Sequence, residues 1–232
     1  MAERFEGMRF SGPIGTLIAE TQARQIGAFL APLAGRRILD VGTGTGRAAI
    51  ALAKAGAIVT GVDASRDMLA VAERRAREEG VTVTFAPGDA HRLDVPDRSF
   101  DAVVCLRVLM HTPGWRASLA ELCRVSADRL VLDYPSLYSA AAIQAAVRRV
   151  THRFNRSVEA YRVFAPSAVA RALASAGFEI AGEHRQFVLP IALHKAVNSA
   201  AWTERIEGAF ERAGVMRRLG SPVTVLARRV TP

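Results

Sequence analysis

The groups best suited to binding and catalysis in this chain begin at residues 40–46. Asp40 is followed by Gly42, Gly44 and Gly46, with Thr43 and Thr45 between them. Glycines at alternate positions let a turn adopt unusual φ/ψ and bring its N–H groups close to a ligand, since no Cβ stands in the way. Asp40 adds a negative charge just before the first glycine, which suits a ligand with a cationic head and discourages a closely packed pyrophosphate. The G-x-G-x-G spacing also differs from the G-x-G-x-x-G dinucleotide fingerprint. Asp63 stands close to the interval past Gly46 at which an acid holds a ribose diol, accepting from both hydroxyls in a fixed geometry. The alternative role for Asp63 is helix entry. His111 can take a proton near neutral pH, and serves equally well as a residue that orders its loop.

The apolar pattern supplies the scaffold for these groups. Ile38, Leu39 and Val41 make a short buried strand, and Arg47 to Ala55 an alanine-rich helix, so the glycine loop joins strand to helix. Residues 57–62 form a second strand ending at Asp63, and Ala64-Ser65 cap a helix from Arg66 to Gly80. A third strand is expected over Val81–Phe85, leading to Gly88-Asp89-Ala90, and a fourth over Asp101–Leu106. Leu106, Arg107 and His111 then lie at the carboxyl edge of the sheet, where open α/β folds bind ligands.

In this order the motifs resemble the class I S-adenosylmethionine-dependent methyltransferases, whose first motif is an acid preceding G-x-G-x-G. The run from Leu93 to Thr112, LDVPDRSFDAVVCLRVLMHT, is similar to the ubiquinone and menaquinone type that acts on small molecules. The resemblance covers Arg36 to Asp133 well and the final hairpin by pattern only. It implies a doubly wound, seven-stranded, mostly parallel Rossmann-like sheet, with helical insertions after strand five and between strands six and seven. It implies S-adenosylmethionine as cofactor, held by Asp40, Gly42, Thr43, Gly44, Gly46, Asp63, Ala64, Met68, Asp89, Ala90, Leu106 and Arg107. Met68 falls near the adenine face, and Asp89 near the adenine amino group. The reaction implied is direct in-line methyl transfer, with His111 as catalytic base and Tyr134, Tyr138 and His152 as further acceptor-side candidates.

The rest of the chain reads as one domain over residues 1–232. An N-terminal helix over Ile14–Leu33 occupies residues 1–35, a donor-binding core residues 36–134, and acceptor-side insertions residues 135–165 and 190–220. A helix over Trp115–Val125 precedes strand five, Asp128–Tyr134. A helix carrying Leu137, Ile143, Val147 and Val150 then leads into His152-Arg153-Phe154-Asn155-Arg156, which suits either a grip on an anionic ring or lipid head, or a solvated loop. A helix over Pro166–Ala176, strand six over Phe178–Leu189 and strand seven over Val223–Arg228 complete the pattern. The insertion at 190–220, apolar and basic together, fits a lid, a membrane-facing surface or plain core packing.

Composition bounds the partners. Half of the 232 residues are apolar, and the net charge is +9. Residues 141–232 carry 14 basic against 6 acidic side chains, so the excess sits in the last third. That invites an anionic partner: a nucleic acid, an acidic substrate or, by peripheral contact, an anionic membrane. Lys54 and Lys195 are the only lysines, so the charge is arginine, and no specific nucleic-acid partner is expected. Cys105 and Cys123 lack disulfide or metal-ligand spacing. With no apolar signal-peptide core at the N-terminus, a cytoplasmic protein is expected. Neither the Pro-Cys setting of cytosine C5 methylation nor the Asp/Asn-Pro-Pro-Tyr/Phe motif of amino methylation is present. The remaining rivals are an RNA methyltransferase, an NAD(P)-dependent oxidoreductase and a non-catalytic donor-binding protein.

Overall fold

Successive side chains of the central strands are buried in opposite apolar clusters, and this puts helices on both sides of the sheet. Along β4 (Phe100–Cys105), Ala102 and Val104 point into one apolar cluster, and Val103 and Cys105 into another. β5 (Ser126–Tyr134) repeats this, with Val131 on the first side and Leu130 and Leu132 on the second. A strand apolar on both faces must be covered on both. In this computed structural model, which describes residues 12–154 and 161–230, the first side is covered by α1 (Gly12–Leu30) and α2 (Arg47–Lys54). The second is covered by α4 (Trp115–Val125) and α6 (Pro166–Ser175).

β1 (Arg37–Val41), β2 (Ile58–Asp63) and β3 (Thr84–Pro87) join β4 and β5 in parallel, and the antiparallel β7 (Val223–Arg229) is inserted between β5 and β6 (Phe178–Arg185). The order is β3-β2-β1-β4-β5-β7-β6, which is the doubly wound, mostly parallel sheet of seven strands expected. Strand order reverses between β1 and β4. The carboxyl ends of those two strands therefore flank the crevice where such sheets take ligands. α3 (Arg66–Glu78) connects β2 to β3, with Ser65 as its N-cap accepting from the Met68 N–H.

Several boundaries differ from those the sequence predicts. β3 occupies Thr84–Pro87 rather than 81–85, because its register is set by pairing Thr60 with Thr84 and Asp63 with Pro87. α1 stops at Leu30, before Pro32, whose ring cannot continue a helix. β6 ends at Arg185, where its partner β7 begins at Val223. Residues 186–222 then build α7 (Ile191–Val197), α8 (Ala200–Arg212) and the short α9 (Met216–Leu219).

α8 packs back on the chain by its polar groups. Glu207 accepts from the N–H groups of Val188 and Leu189 and from His194 Nε2, at 2.8, 3.0 and 2.8 Å. His194 is fully buried, with Nδ1 3.0 Å from Thr203 Oγ1 and its ring between Phe187 and Trp202. α5 (Ala140–Phe154) differs in this respect: Ile143 and Val147, on its expected apolar stripe, are 71% and 59% exposed. No described helix is long and apolar enough to cross a membrane.

Candidate active site

The loop after β1 is held from several sides. The N–H groups of Gly42 and Thr43 both donate to the Val62 carbonyl, at 2.8 and 3.0 Å, which pins the loop to the end of β2. Arg75, on α3, reaches across with Nη1 to the carbonyl and hydroxyl oxygens of Thr45. Gly42, Gly44 and Gly46 all have positive φ, at 72°, 54° and 79°. Their reasons for being glycine differ. A Cβ on Gly42 would fall 2.1 Å from Val108 Cγ2, so Val108 packs directly on the bare Cα. A Cβ on Gly44 would meet nothing within 4 Å, so the loop is open there.

Two carboxylates frame that opening. Asp63 Oδ2 accepts from the Gly44 N–H at 2.8 Å, and Oδ1 from the Ser65 N–H at 2.9 Å. The carboxylate is half-buried, and its oxygens have lone pairs left for a diol. Asp40 is 2% exposed and accepts from the Thr43 hydroxyl at 2.7 Å. Burial pushes its pKa up to about 6, against the Thr43 bond, and the nearby negative charge of Asp63 pushes the same way. A ligand bringing positive charge and a ribose to this crevice relieves both effects, so an S-adenosylmethionine donor fits the residues present. Burial pushes the Cys105 thiol far up, with the charges of Asp133 and Asp40 both contributing, so it stays protonated.

The other expected site residues fall around the same edge. Ala64 is exposed and Met68 half-buried at the start of α3, beside Asp63. Asp89 is exposed and accepts from the His91 N–H at 2.9 Å, with His91 Nδ1 at 2.8 Å; these bonds hold its pKa low. Ala90 is partly buried against the core. Leu106 and Arg107 follow β4 directly, and His111 closes the 3-10 turn Leu109–His111, exposed. Tyr134 is buried beside Phe164 with its hydroxyl unpartnered and its pKa pushed up to about 12 by burial, a poor setting for proton transfer. Tyr138 is exposed. The side chain of His152, and residues 155–156 of the basic-aromatic stretch, lie outside the described residues.

Two residues that brace these loops do not emerge from the sequence reading. Arg75 carries no signal beyond helix spacing. Asp133 does, because it is a carboxylate at the end of a buried strand, like Asp40 and Asp63. It is 2% exposed and accepts the Arg107 N–H at one oxygen and Gln22 Nε2, 3.4 Å away, at the other. Arg107 has φ 60°, a conformation that costs a non-glycine residue about 1–2 kcal/mol.

A glycine loop after β1, an acid after β2 and a β7 inserted antiparallel beside β5 define a class I S-adenosylmethionine-dependent methyltransferase fold. Residues 38–128 match the family described as methyltransferase domain. Similar over this core is the ubiquinone biosynthesis O-methyltransferase of Methylococcus capsulatus, 42% identical over 95 residues, 40% of this chain and 40% of that protein. The demethylmenaquinone methyltransferase of Thermus thermophilus is 40% identical over 105 residues, 43% of this chain and 48% of its own. The chain thus spans less than half the length of these curated relatives. Among solved structures, magnesium protoporphyrin IX methyltransferase from Synechocystis with bound SAH superposes with a TM-score of 0.66 at 20% identity, over 92% of this chain and 82% of that one. That likeness establishes the fold.

Proposed function

We propose that this chain methylates a small apolar acceptor, of the quinone or lipid-precursor kind, using S-adenosylmethionine. The observation that carries the reading is the pairing of Gly44 with Asp63: an open, left-handed loop residue whose N–H is fixed by the carboxylate that would receive a ribose. In this reading the glycine loop and Asp40 would hold the donor's amino-acid end, Asp63 its ribose hydroxyls, and Met68, Asp89 and Ala90 its base. When bound, the donor supplies an electrophilic methyl group on a sulfonium, so the chain's own work is alignment and exclusion of water. Leu106 and Arg107 border the reacting end, and His111 takes the acceptor's proton.

The quinone-pathway names of the relatives over residues 38–128 support the acceptor class. Residues 135–165 and 190–220 supply the acceptor side. The exposed Ile143 and Val147 on the arginine-bearing α5 fit an anionic membrane surface from which such an acceptor would be drawn, by a protein working in the cytoplasm. Calorimetric titration with S-adenosylhomocysteine, and with NADH in parallel, tests the donor. Micromolar binding of the former alone, lost in Asp63→Ala, is expected. Binding of NADH alone would replace methyl transfer with hydride transfer.

A further inference from the structure

Three segments far apart in sequence meet at the carboxylate of Asp133. One oxygen receives the backbone N–H of Arg107, just past β4, and the other the side-chain amide of Gln22, on α1. The carboxylate is almost fully buried at the end of β5, so its bond to the Arg107 N–H is shielded from competing water and correspondingly strong. Arg107 needs such a partner: it holds φ 60° with no glycine to ease it, and a residue in that region persists only where its surroundings over-determine it.

The path of the chain beyond Arg107 depends on that backbone conformation. Val108 comes next, and its Cγ2 occupies the space that a Cβ on Gly42 would take. The 3-10 turn begins immediately after, closed by the His111 N–H on the Val108 carbonyl at 2.9 Å and by the Thr112 hydroxyl on the same oxygen at 2.9 Å. The direction in which the chain leaves β4 therefore sets both the contact pressing on the glycine loop and the place of His111.

We infer that Asp133 is a positioning residue for the donor pocket, fixing the left-handed turn at Arg107 and through it the seat of Val108 on Gly42 and the turn that carries His111. This rests on the proposed donor reading for its functional meaning, though not for its geometry. Gln22 brings α1 to the same carboxylate, so the helix covering one face of the sheet is registered to the β4 turn by the same group.

The test is a double-mutant cycle, because Arg107→Gly adopts a positive φ without needing the carboxylate. Affinity for S-adenosylhomocysteine is measured in the wild type, Asp133→Ala, Arg107→Gly and the double variant, with Asp133→Leu in place of an alanine variant that does not fold and Asp133→Asn, whose amide oxygen still accepts the Arg107 N–H, as the conservative rescue. The expected result is a loss of tenfold or more from the Asp133 substitution in the wild-type background and of threefold or less in the Arg107→Gly background. Equal losses in both would overturn the inference, since a merely structural role would not be relieved by glycine at 107. Amide hydrogen exchange over residues 106–112 reads the turn with no ligand present. Faster exchange in Asp133→Ala than in the wild type or Asp133→Asn is the expected result. Unchanged exchange there overturns the positioning role even if the wild type binds the donor. Failure of the wild type to bind S-adenosylhomocysteine, with exchange responding as expected, removes the donor reading and leaves the turn mechanism standing.

Discussion

The Thr43 hydroxyl donates to Asp40 Oδ2 at 2.7 Å, within a segment that almost completely buries the carboxylate. Burial outweighs the hydrogen bonds from the Thr43 hydroxyl and the Ala49 backbone N–H, and the charge of Asp63 adds to it, which is why the Asp40 pKa rises from the ordinary 3.8 to about 6. The folded state therefore holds this proton more tightly than the unfolded chain does. The contribution of Asp40 to stability is most favourable below pH 3.8 and falls as pH rises through about 6. Each tenfold change in proton affinity is worth about 1.4 kcal/mol, so ionised Asp40 costs the fold about 3 kcal/mol at neutral pH.

Asp40→Asn is accordingly expected to raise stability at pH 8, by less than about 3 kcal/mol, because the amide carries no charge but its single oxygen replaces two acceptors that serve Thr43 and the Ala49 N–H. Donor affinity should move the other way, falling about tenfold. In the unsubstituted protein, affinity for S-adenosylhomocysteine, with its cationic amino group, should rise with pH through about 6. Urea melts at pH 5 and 8, paired with titrations at both, check this. An Asn variant less stable at pH 8 would mean that the buried charge is compensated.

Gly44→Ala separates the donor's space from the fold's. A Cβ there meets nothing within 4 Å, so the protein loses only the cost of φ 54°, about 1–2 kcal/mol for a non-glycine residue. The methyl group would enter the space assigned to the donor, and affinity should fall by a hundredfold or more. Equal affinity in the two proteins would place the donor elsewhere.

The legibility of this chain in its sequence divides along a physical line. Strand, glycine loop and helix at residues 37–54 follow from local apolar runs and backbone requirements, and the order of such units implies the doubly wound sheet. Strand β3 lies away from its expected place because its residues are half-exposed at the sheet edge, where pattern is weak and pairing with β2 decides the register. The Asp133–Arg107 bond joins residues 26 apart in sequence, and it exists only once β4 and β5 lie side by side. Its donor end, a left-handed arginine, is opposite to what residue preference suggests. Ile143 and Val147 of α5 keep helical spacing yet are exposed, since periodicity reports a face without saying what covers it.

Glu207→Ala tests whether the second insertion is ordinary packed structure. The carboxylate receives two backbone N–H groups and His194 in a buried setting, and leaving such donors unsatisfied costs about 1–3 kcal/mol each. A loss of about 3 kcal/mol or more in a denaturant melt is expected, with Glu207→Gln restoring part of it by accepting from the backbone. A variant as stable as its parent would show that residues 186–212 contribute little to the folded state.

His111 decides between proton transfer and loop order. Its turn follows β4 on the crevice side and leaves the ring exposed, so an acceptor hydroxyl can reach it without displacing core. As base, it should give a methylation rate that climbs with pH as the imidazole loses its proton. His111→Asn would then lose a factor of about 10²–10⁴ in kcat, while S-adenosylhomocysteine affinity stays within twofold. The readout is the pH profile of methyl transfer to a water-soluble catechol, measured in the wild type and in His111→Asn and His111→Gln. A residue that only orders the turn would show parallel profiles, with donor affinity and rate falling together. Should the substituted proteins keep full rate, the base is either another group or unnecessary, as an already ionised phenolate acceptor would make it.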